Sequence, residues 1–144
     1  MTPDQKGSIA EAEIAAVAVR HGVSVLRPLN DGLRYDLMFD LHPRLLRVQC
    51  KWAPRRGDVI IVNARTCRRT ADGYIRGNYS ADEVDAIGAY CLDVDRCYLI
   101  PISFVANRPS IAIRLAPTRN NQARRINWAK DFEFAATLRR LVGP

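Results

Sequence analysis

The stretch RYDLMFDLHPRLLRVQCKW, residues 34–52, decides the fold because polar and apolar side chains alternate on both sides of a central His-Pro step. Such alternation predicts two half-buried strands, and the His-Pro step predicts the turn that joins them into a hairpin. Side chains two residues apart lie on the same face of a strand. The hairpin therefore gathers the carboxylate of Asp36, the amide of Gln49 and the ammonium of Lys51.

The rest of the chain predicts a succession of helices and strands around this hairpin, within one domain that spans residues 1–144. A first helix is predicted over residues 6–21, and the arginine-rich stretch 66–80 is predicted to be an irregular loop. A helical region that includes Trp128 and Phe134 is predicted near the C-terminus. The hairpin is expected to be the middle of a meander of three or four strands. Further strands are predicted at residues 23–26, 58–63, 87–92, 97–100 and 111–115.

Composition excludes several classes of protein. The chain has 144 residues, of which 48% are hydrophobic, which is enough for an ordinary core and excludes a disordered chain. No apolar run approaches the roughly 20 residues needed to span a bilayer, and the polar start is unlike a signal segment. The four cysteines form no C-x-x-C pair and are expected to be reduced thiols. A cytoplasmic protein without a membrane segment is therefore expected.

The net charge of +7 is concentrated in two basic segments, and arginine far outnumbers lysine. The guanidinium group can bind phosphates and base edges through two parallel hydrogen bonds, so this bias favours DNA as the partner. A solvated basic face, or a coding bias toward arginine, would give the same composition. The candidate DNA-binding residues are Arg47, Arg55, Arg56, Arg68, Arg69, Arg119, Arg124 and Arg125.

Glu11 is the acidic residue of the first predicted helix that points inward. A helical wheel places it among Ile14, Ala15 and Ala18, nearly opposite Glu13. A buried glutamate is costly unless a cation or a metal ion meets it. The alternative is a capping box, in which Ser8 begins the helix and the Glu11 carboxylate turns back to the Ser8 amide.

These residue types can bind a hard divalent cation. Mg²⁺ prefers oxygen ligands and often needs only one or two carboxylates from the protein. Asp36, the side-chain oxygen of Gln49 and the backbone carbonyl of Cys50 could form such a set, and Glu11 could join it directly or through a water. Lys51 would orient or deprotonate the attacking water, or stabilise a phosphate directly. The chemistry is that of phosphodiester hydrolysis.

The order of these parts resembles the PD-(D/E)XK nuclease superfamily, and within it a small group that includes group I intron homing endonucleases and related phage or bacterial proteins. The resemblance extends from Lys6 to about Phe134. Position 49 departs from the pattern, because most of the superfamily has an acid where this chain has glutamine. The matching blocks are Lys6-Gly7-x-x-Ala10-Glu11, Arg27-Pro28, Arg34-Tyr35-Asp36-Leu37, Leu46-Arg47-Val48-Gln49-Cys50-Lys51, Asp85-x-x-x-x-Tyr90-Cys91, Tyr98-Leu99-Ile100-Pro101 and Pro117-Thr118-Arg119-Asn120-Asn121-Gln122.

The resemblance implies an α/β (α+β) protein with a restriction-endonuclease-like mixed central β-sheet flanked by helices. It implies an active-site quartet of Glu11, Asp36, Gln49 and Lys51, and a metal site of Glu11, Asp36, Gln49 and Cys50. The expected cofactor is Mg²⁺, with Mn²⁺ as a substitute. The expected function is a metal-dependent DNA endonuclease that works as a homodimer or higher homo-oligomer. The alternatives are a Holliday junction resolvase and an inactive DNA-binding protein that keeps the nuclease fold.

Overall fold

The computed structural model of the chain describes residues 1–118, 120 and 125–142, and within residues 67–70 and 74–76 it describes the backbone. Two short 3-10 helices, at Ile102–Phe104 and Ala129–Phe132, connect the longer elements. The α-helices are α1 (Pro3–Arg20) and α2 (Phe134–Val142). The strands are β1 (Ser24–Leu26), β2 (Leu37–Asp40), β3 (Leu45–Trp52), β4 (Arg55–Arg56), β5 (Val59–Asn63), β6 (Arg65–Thr70), β7 (Gly73–Asn78), β8 (Ala86–Cys91), β9 (Arg96–Pro101) and β10 (Ser110–Arg114).

The main sheet has five strands in the order β1-β2-β3-β8-β9. The β3–β8 pair is parallel and the other three pairs are antiparallel, so the sheet is mixed as expected. β2 and β3 form the predicted hairpin, whose turn is closed by a 2.8 Å hydrogen bond from the Leu41 N–H to the Arg44 carbonyl. β3 has a neighbour on each side and is the central strand.

Two hydrophobic cores lie on the two faces of this sheet. Helix α1 covers one face, where its buried stripe of Ala10, Ile14 and Ala18 packs on side chains of β2 and β3. Alternate residues of β8 and β9 point to the other face, where they pack against a second sheet with the strand order β10-β5-β4. Both faces of β8 are buried along its whole length, which explains its continuous apolar sequence.

Gly88 lets helix α1 approach the sheet closely. A Cβ atom at this position would lie 3.0 Å from Cγ2 of Ile14 and 3.3 Å from Cγ1 of Val48. A contact of 3.0 Å is tighter than nine in ten real Cβ contacts, so a side chain at position 88 would require Ile14 to give way by a few tenths of an ångström. A glycine inside this buried strand therefore marks a close approach of two elements.

The first helix begins three residues before the predicted start, and the predicted Ser8 cap is wrong. Thr2 is the N-cap, and it forms a capping box in which its hydroxyl accepts from the Gln5 N–H at 3.2 Å while Gln5 accepts from the Thr2 N–H at 2.8 Å. Pro3 occupies the first helical position, which suits its fixed φ angle. Since Ser8 lies inside the helix, the capping-box explanation of Glu11 is excluded.

The structure corrects two further predictions near the hairpin. β1, β2 and β3 form a three-stranded meander, but the strand at Val59–Asn63 is not its fourth member and instead pairs with β10 and β4 in a second sheet. The stretch predicted to be an irregular loop forms the antiparallel β6–β7 ribbon. An Asp72-Gly73 pair lies at its tip, where Gly73 has a φ of +116° that favours glycine.

None of the described helices has the length and apolar character needed to cross a membrane. Cys50, Cys91 and Cys97 are free and buried.

Candidate active site

The two faces of β3 separate core side chains from polar ones, as the alternation predicts. Leu46, Val48 and Cys50 are buried on the side of helix α1. Gln49 and Lys51 are half-buried and, two residues apart, project from the opposite face. An amide oxygen and an ammonium group are thus presented side by side on the central strand.

Asp36 lies immediately before β2 and is fixed to β3 by two hydrogen bonds. Its backbone N–H donates to the Val48 carbonyl at 2.9 Å, and its Oδ2 accepts from the Cys50 N–H at 2.9 Å. Burial raises the pKa of the Asp36 carboxyl above its ordinary value, although the Cys50 hydrogen bond and the nearby charge of Lys51 act in the opposite direction. The charged carboxylate is therefore only partly compensated by the protein.

Glu11 and Asp36 line the same cleft, which has a volume of about 240 Å³. Helix α1 supplies Glu11 from the edge of its buried stripe, and the loop between β1 and β2 forms the opposite wall. Arg27 of this loop pairs with Glu11, with Nη2 and Oε1 3.1 Å apart. The predicted inward carboxylate thus lines the same cleft as Asp36, and the Arg27 guanidinium is already paired with it.

The charges of both carboxylates act on the side chain of Cys50. Burial, and then the charges of Asp36 and Glu11, raise the pKa of its thiol well above the ordinary value. The N–H and C=O of one strand residue point toward the same neighbouring strand. Since the Cys50 N–H bonds to Asp36, its carbonyl faces the same side, beyond the first residue of β2.

The candidate donor set suits a hard divalent cation. Carboxylate, amide and backbone carbonyl oxygens are the ligands that Mg²⁺ prefers, and a cation would also offset the burial of the Asp36 charge. No cluster of three or more His, Cys, Asp or Glu side chains suited to a metal ion occurs among the residues described. A metal site formed by the carboxylates of Glu11 and Asp36 therefore needs the neutral oxygens of Gln49 and Cys50 as further ligands.

Lys51 has two neighbours that sequence reasoning did not identify. Its Nζ donates to the Arg65 carbonyl at 3.3 Å, and it lies 5.2 Å from the centre of the Tyr79 ring. The sequence places Tyr79 in a predicted irregular loop, where its ring could stack on DNA or cover the core. Sequence patterns give little indication of these two neighbours, because Arg65 and Tyr79 come from a segment with no apolar alternation.

Arg47 is a candidate DNA-binding residue, for which DNA contact stays a prediction, and its side chain also bonds to other parts of the protein. Its Nε and Nη2 donate to the Asp85 carboxylate at 3.0 Å and 3.2 Å, and its backbone N–H donates to the same carboxylate at 2.7 Å. The guanidinium also donates to the carbonyls of Ala81 and Asp82. These bonds join the segment before β8 to β3. They use most of the guanidinium N–H groups, so few remain to donate to a phosphate.

The other candidate DNA-binding arginines divide into two groups. Arg55, Arg56 and Arg125 are exposed, and Arg55 also donates to the Gly57 carbonyl at 2.7 Å. The side chains of Arg68 and Arg69, and the whole of Arg119 and Arg124, lie outside the described residues. For all of them, DNA contact stays a prediction.

A family model for PD-(D/E)XK endonucleases matches residues 1–135. The chain belongs to the PD-(D/E)XK endonuclease family. The candidate residues therefore lie within a domain of the PD-(D/E)XK type, and the family explains why a helix, a hairpin and a mixed sheet are combined in this order. No curated protein sequence matches the chain.

Among solved structures, this PD-(D/E)XK protein is similar to a bacterial homing endonuclease, I-Ssp6803I. The two are 28% identical in sequence and superpose with a TM-score of 0.74, and the match covers 96% of this chain and 93% of the other. The restriction-endonuclease-like fold predicted from the sequence is confirmed.

Proposed function

We propose that this protein is a metal-dependent DNA endonuclease, in the manner of the homing endonuclease that it resembles. The observation that carries the proposal is the position of Asp36, which shares a cleft with Glu11 and is hydrogen-bonded to the strand that bears Gln49 and Lys51. In a chain of the PD-(D/E)XK endonuclease family, two carboxylates and a lysine in this arrangement support a nuclease, while Gln49 stands where most of the superfamily has an acid.

In the proposed site, Glu11, Asp36, Gln49 and the Cys50 carbonyl hold Mg²⁺, for which Mn²⁺ is a substitute. The bound cation supplies Lewis acidity at the scissile phosphate. The Cys50 N–H holds the Asp36 carboxylate in one orientation, so little reorganisation is needed when a cation binds. The oxygen of Gln49 contributes a ligand without adding a third negative charge.

Lys51 provides the positive charge that the reaction needs. Water adds to the phosphorus and loses a proton to solvent, the bond to the leaving sugar oxygen breaks and that oxygen takes up a proton from solvent, and negative charge grows on the phosphate oxygens during this exchange. The Lys51 ammonium, whose positive charge acts on the Asp36 carboxyl, stabilises that charge more than bulk water does. Exposed arginines such as Arg55, Arg56 and Arg125 then contact the DNA backbone on either side.

The test is cleavage of plasmid DNA with Mg²⁺, in which wild type is compared with Asp36→Asn and Lys51→Met. Both variants should lose at least about a hundredfold in rate while they still bind DNA. Asp40→Asn and Lys130→Met are matched controls, because Asp40 lies on the same side of β2 as Asp36 but at its far end. Full activity in either site variant would overturn the assignment.

Cleavage of both strands of a duplex requires two such sites. We therefore propose a homodimer or a higher homo-oligomer as the active form, which a mass measurement by light scattering on the DNA-bound protein would test. A monomer that nicks only one strand would contradict this part of the proposal.

A further inference from the structure

The base of the β6–β7 ribbon contacts the side chain of Lys51. The carbonyl that accepts its hydrogen bond belongs to Arg65, the first residue of β6. The ring over which its Nζ lies belongs to Tyr79, which follows directly after the last residue of β7. Arg65 and Asn78 are paired in the ribbon, so the two groups that hold Lys51 lie where the chain enters and leaves the ribbon.

Tyr79 is a rigid partner for this lysine. Its side chain is 6% exposed and packs in the core between the main sheet and the second sheet. Its backbone N–H donates to the Ala64 carbonyl at 3.4 Å, which anchors it to the start of the ribbon. Burial, with the charge of Asp36 next in effect, raises the pKa of Tyr79 to about 12, as expected for a neutral ring close to that carboxylate.

The face of an aromatic ring attracts a cation, and the attraction grows when water is excluded. The Tyr79 ring therefore favours a Lys51 ammonium that lies against it, and the Arg65 carbonyl fixes the direction of its N–H bonds. A long lysine side chain otherwise has several accessible rotamers, and only some of them place the ammonium near Asp36.

We propose that Tyr79 is a positioning residue for Lys51, and that the base of the β6–β7 ribbon is thereby part of the active site. The inference rests on the endonuclease proposed above. Both contacts tie the position of the Lys51 ammonium to the base of the ribbon, so a change there should alter the rate of cleavage.

The first experiment compares Tyr79→Phe with Tyr79→Leu in single-turnover cleavage of DNA with Mg²⁺. Phenylalanine keeps the ring face, whereas leucine removes it and keeps an apolar side chain. Tyr79→Leu should lower the cleavage rate about five- to thirtyfold with an unchanged Kd for DNA, and Tyr79→Phe should stay within about twofold of wild type. Equal rates for all three proteins, an equally slow Tyr79→Phe, or an effect confined to Kd would overturn the proposal.

The second experiment needs no cleavage and separates this proposal from the proposed function. The chain has three lysines, Lys6, Lys51 and Lys130, so lysine-selective ¹³C labelling gives a simple spectrum that Lys6→Arg and Lys130→Arg assign. The Lys51 ε-methylene signal should be shifted upfield by the Tyr79 ring in wild type and in Tyr79→Phe. Lys6, 5.8 Å from the centre of the Trp52 ring, is a reference that should not respond to changes at Tyr79.

The outcomes of the two experiments are distinct. Absence of the Lys51 ring shift in wild type would overturn the positioning role even if Tyr79→Leu failed to fold. A wild type that shows the shift but never cleaves DNA would instead contradict the endonuclease assignment. Loss of the shift in Tyr79→Leu together with slower cleavage is the result expected.

Discussion

The Oδ2 atom of Asp36 accepts a hydrogen bond from the Cys50 N–H at 2.9 Å, which joins the carboxylate to the strand residue between Gln49 and Lys51. Through the backbone of β3, this bond fixes the position of Asp36 relative to Gln49 and Lys51. The same burial that holds the carboxylate in place also raises its pKa, so the site stores an electrostatic cost in the absence of a cation.

Asp36→Asn should raise the Tm by a few degrees at pH 7 while it abolishes cleavage. Because the pKa of Asp36 is raised in the folded state, its contribution to stability is fully present below the ordinary value of 3.8 and is lost as the pH rises through the raised value. The neutral amide avoids that loss, so the difference in Tm between variant and wild type should disappear below about pH 4.

Mg²⁺ should make wild type more stable than Asp36→Asn. A bound cation compensates the Asp36 charge of wild type, whereas the variant lacks this carboxylate ligand. Thermal unfolding followed by circular dichroism, with and without Mg²⁺, measures both effects. A variant that is less stable than wild type at pH 7 without metal would contradict the burial argument.

Glu11→Gln should weaken the stabilisation by Mg²⁺, because Glu11 is one of the two carboxylates of the proposed metal site and lines the same cleft as Asp36. We expect the affinity for the metal to fall by at least about tenfold, as measured by the shift of Tm against metal concentration. Glu13→Gln is the matched control, since Glu13 is on the same helix but lines a different cleft, between α1 and β9. Equal losses in the two variants would assign the effect to net charge rather than to the site.

Gln49→Glu should increase the affinity for Mg²⁺, because the substitution adds a charged oxygen at the position where most of the superfamily has an acid. A gain of about tenfold is expected from the added carboxylate, partly offset by repulsion from Asp36. Calorimetric titration of the metal measures it, and Gln49→Met, which removes the oxygen, should bind less tightly than wild type. An unchanged affinity in both variants would exclude Gln49 as a ligand.

Asp85→Asn should destabilise the fold by about 1–3 kcal/mol at neutral pH, the range for hydrogen bonds to a charged group. Burial alone would raise the pKa of Asp85, but the hydrogen bonds from Arg47 outweigh it and hold the pKa below its ordinary value. The stability that this carboxylate contributes is present above 3.8 and is lost as the pH falls through the lowered value.

Urea unfolding of Asp85→Asn should therefore differ from wild type at pH 7 and converge with it in acid. Asp82→Asn is a suitable control, because Asp82 contacts Arg47 through its backbone carbonyl and not through its carboxylate. A difference that persists unchanged to low pH would show that the carboxylate charge is not what matters.

The hairpin could be predicted because its signal is local. Alternation over residues 34–52 assigned the faces of β3 correctly, with Val48 and Cys50 inward and Gln49 and Lys51 outward. The hairpin turn also follows from neighbouring residues. The start of helix α1 also has a local signal, because Thr2, Pro3 and Gln5 carry a capping-box pattern six residues before Ser8.

What could not be predicted depends on pairs that are distant in sequence. The partner of Arg47 is Asp85, 38 residues further along the chain, and an arginine in a basic segment gives no sign that it is already bound. The parallel pairing of β3 with β8 has no local signature either. The β6–β7 ribbon was missed because its sequence lacks an apolar face, and its Asp72-Gly73 turn was the one signal available.

Gly88 has no side chain, yet it lies directly beneath the helix that carries the Glu11 carboxylate. Ile14 rests on the space that a Cβ atom at position 88 would fill, and Glu11 lies less than one turn before Ile14 on the same rigid helix. A methyl group added there would require Ile14 to give way by a few tenths of an ångström, and Ile14 belongs to the helix that carries Glu11. The close packing beneath this helix thus depends on a position without a side chain, in a strand to which no ligand is assigned.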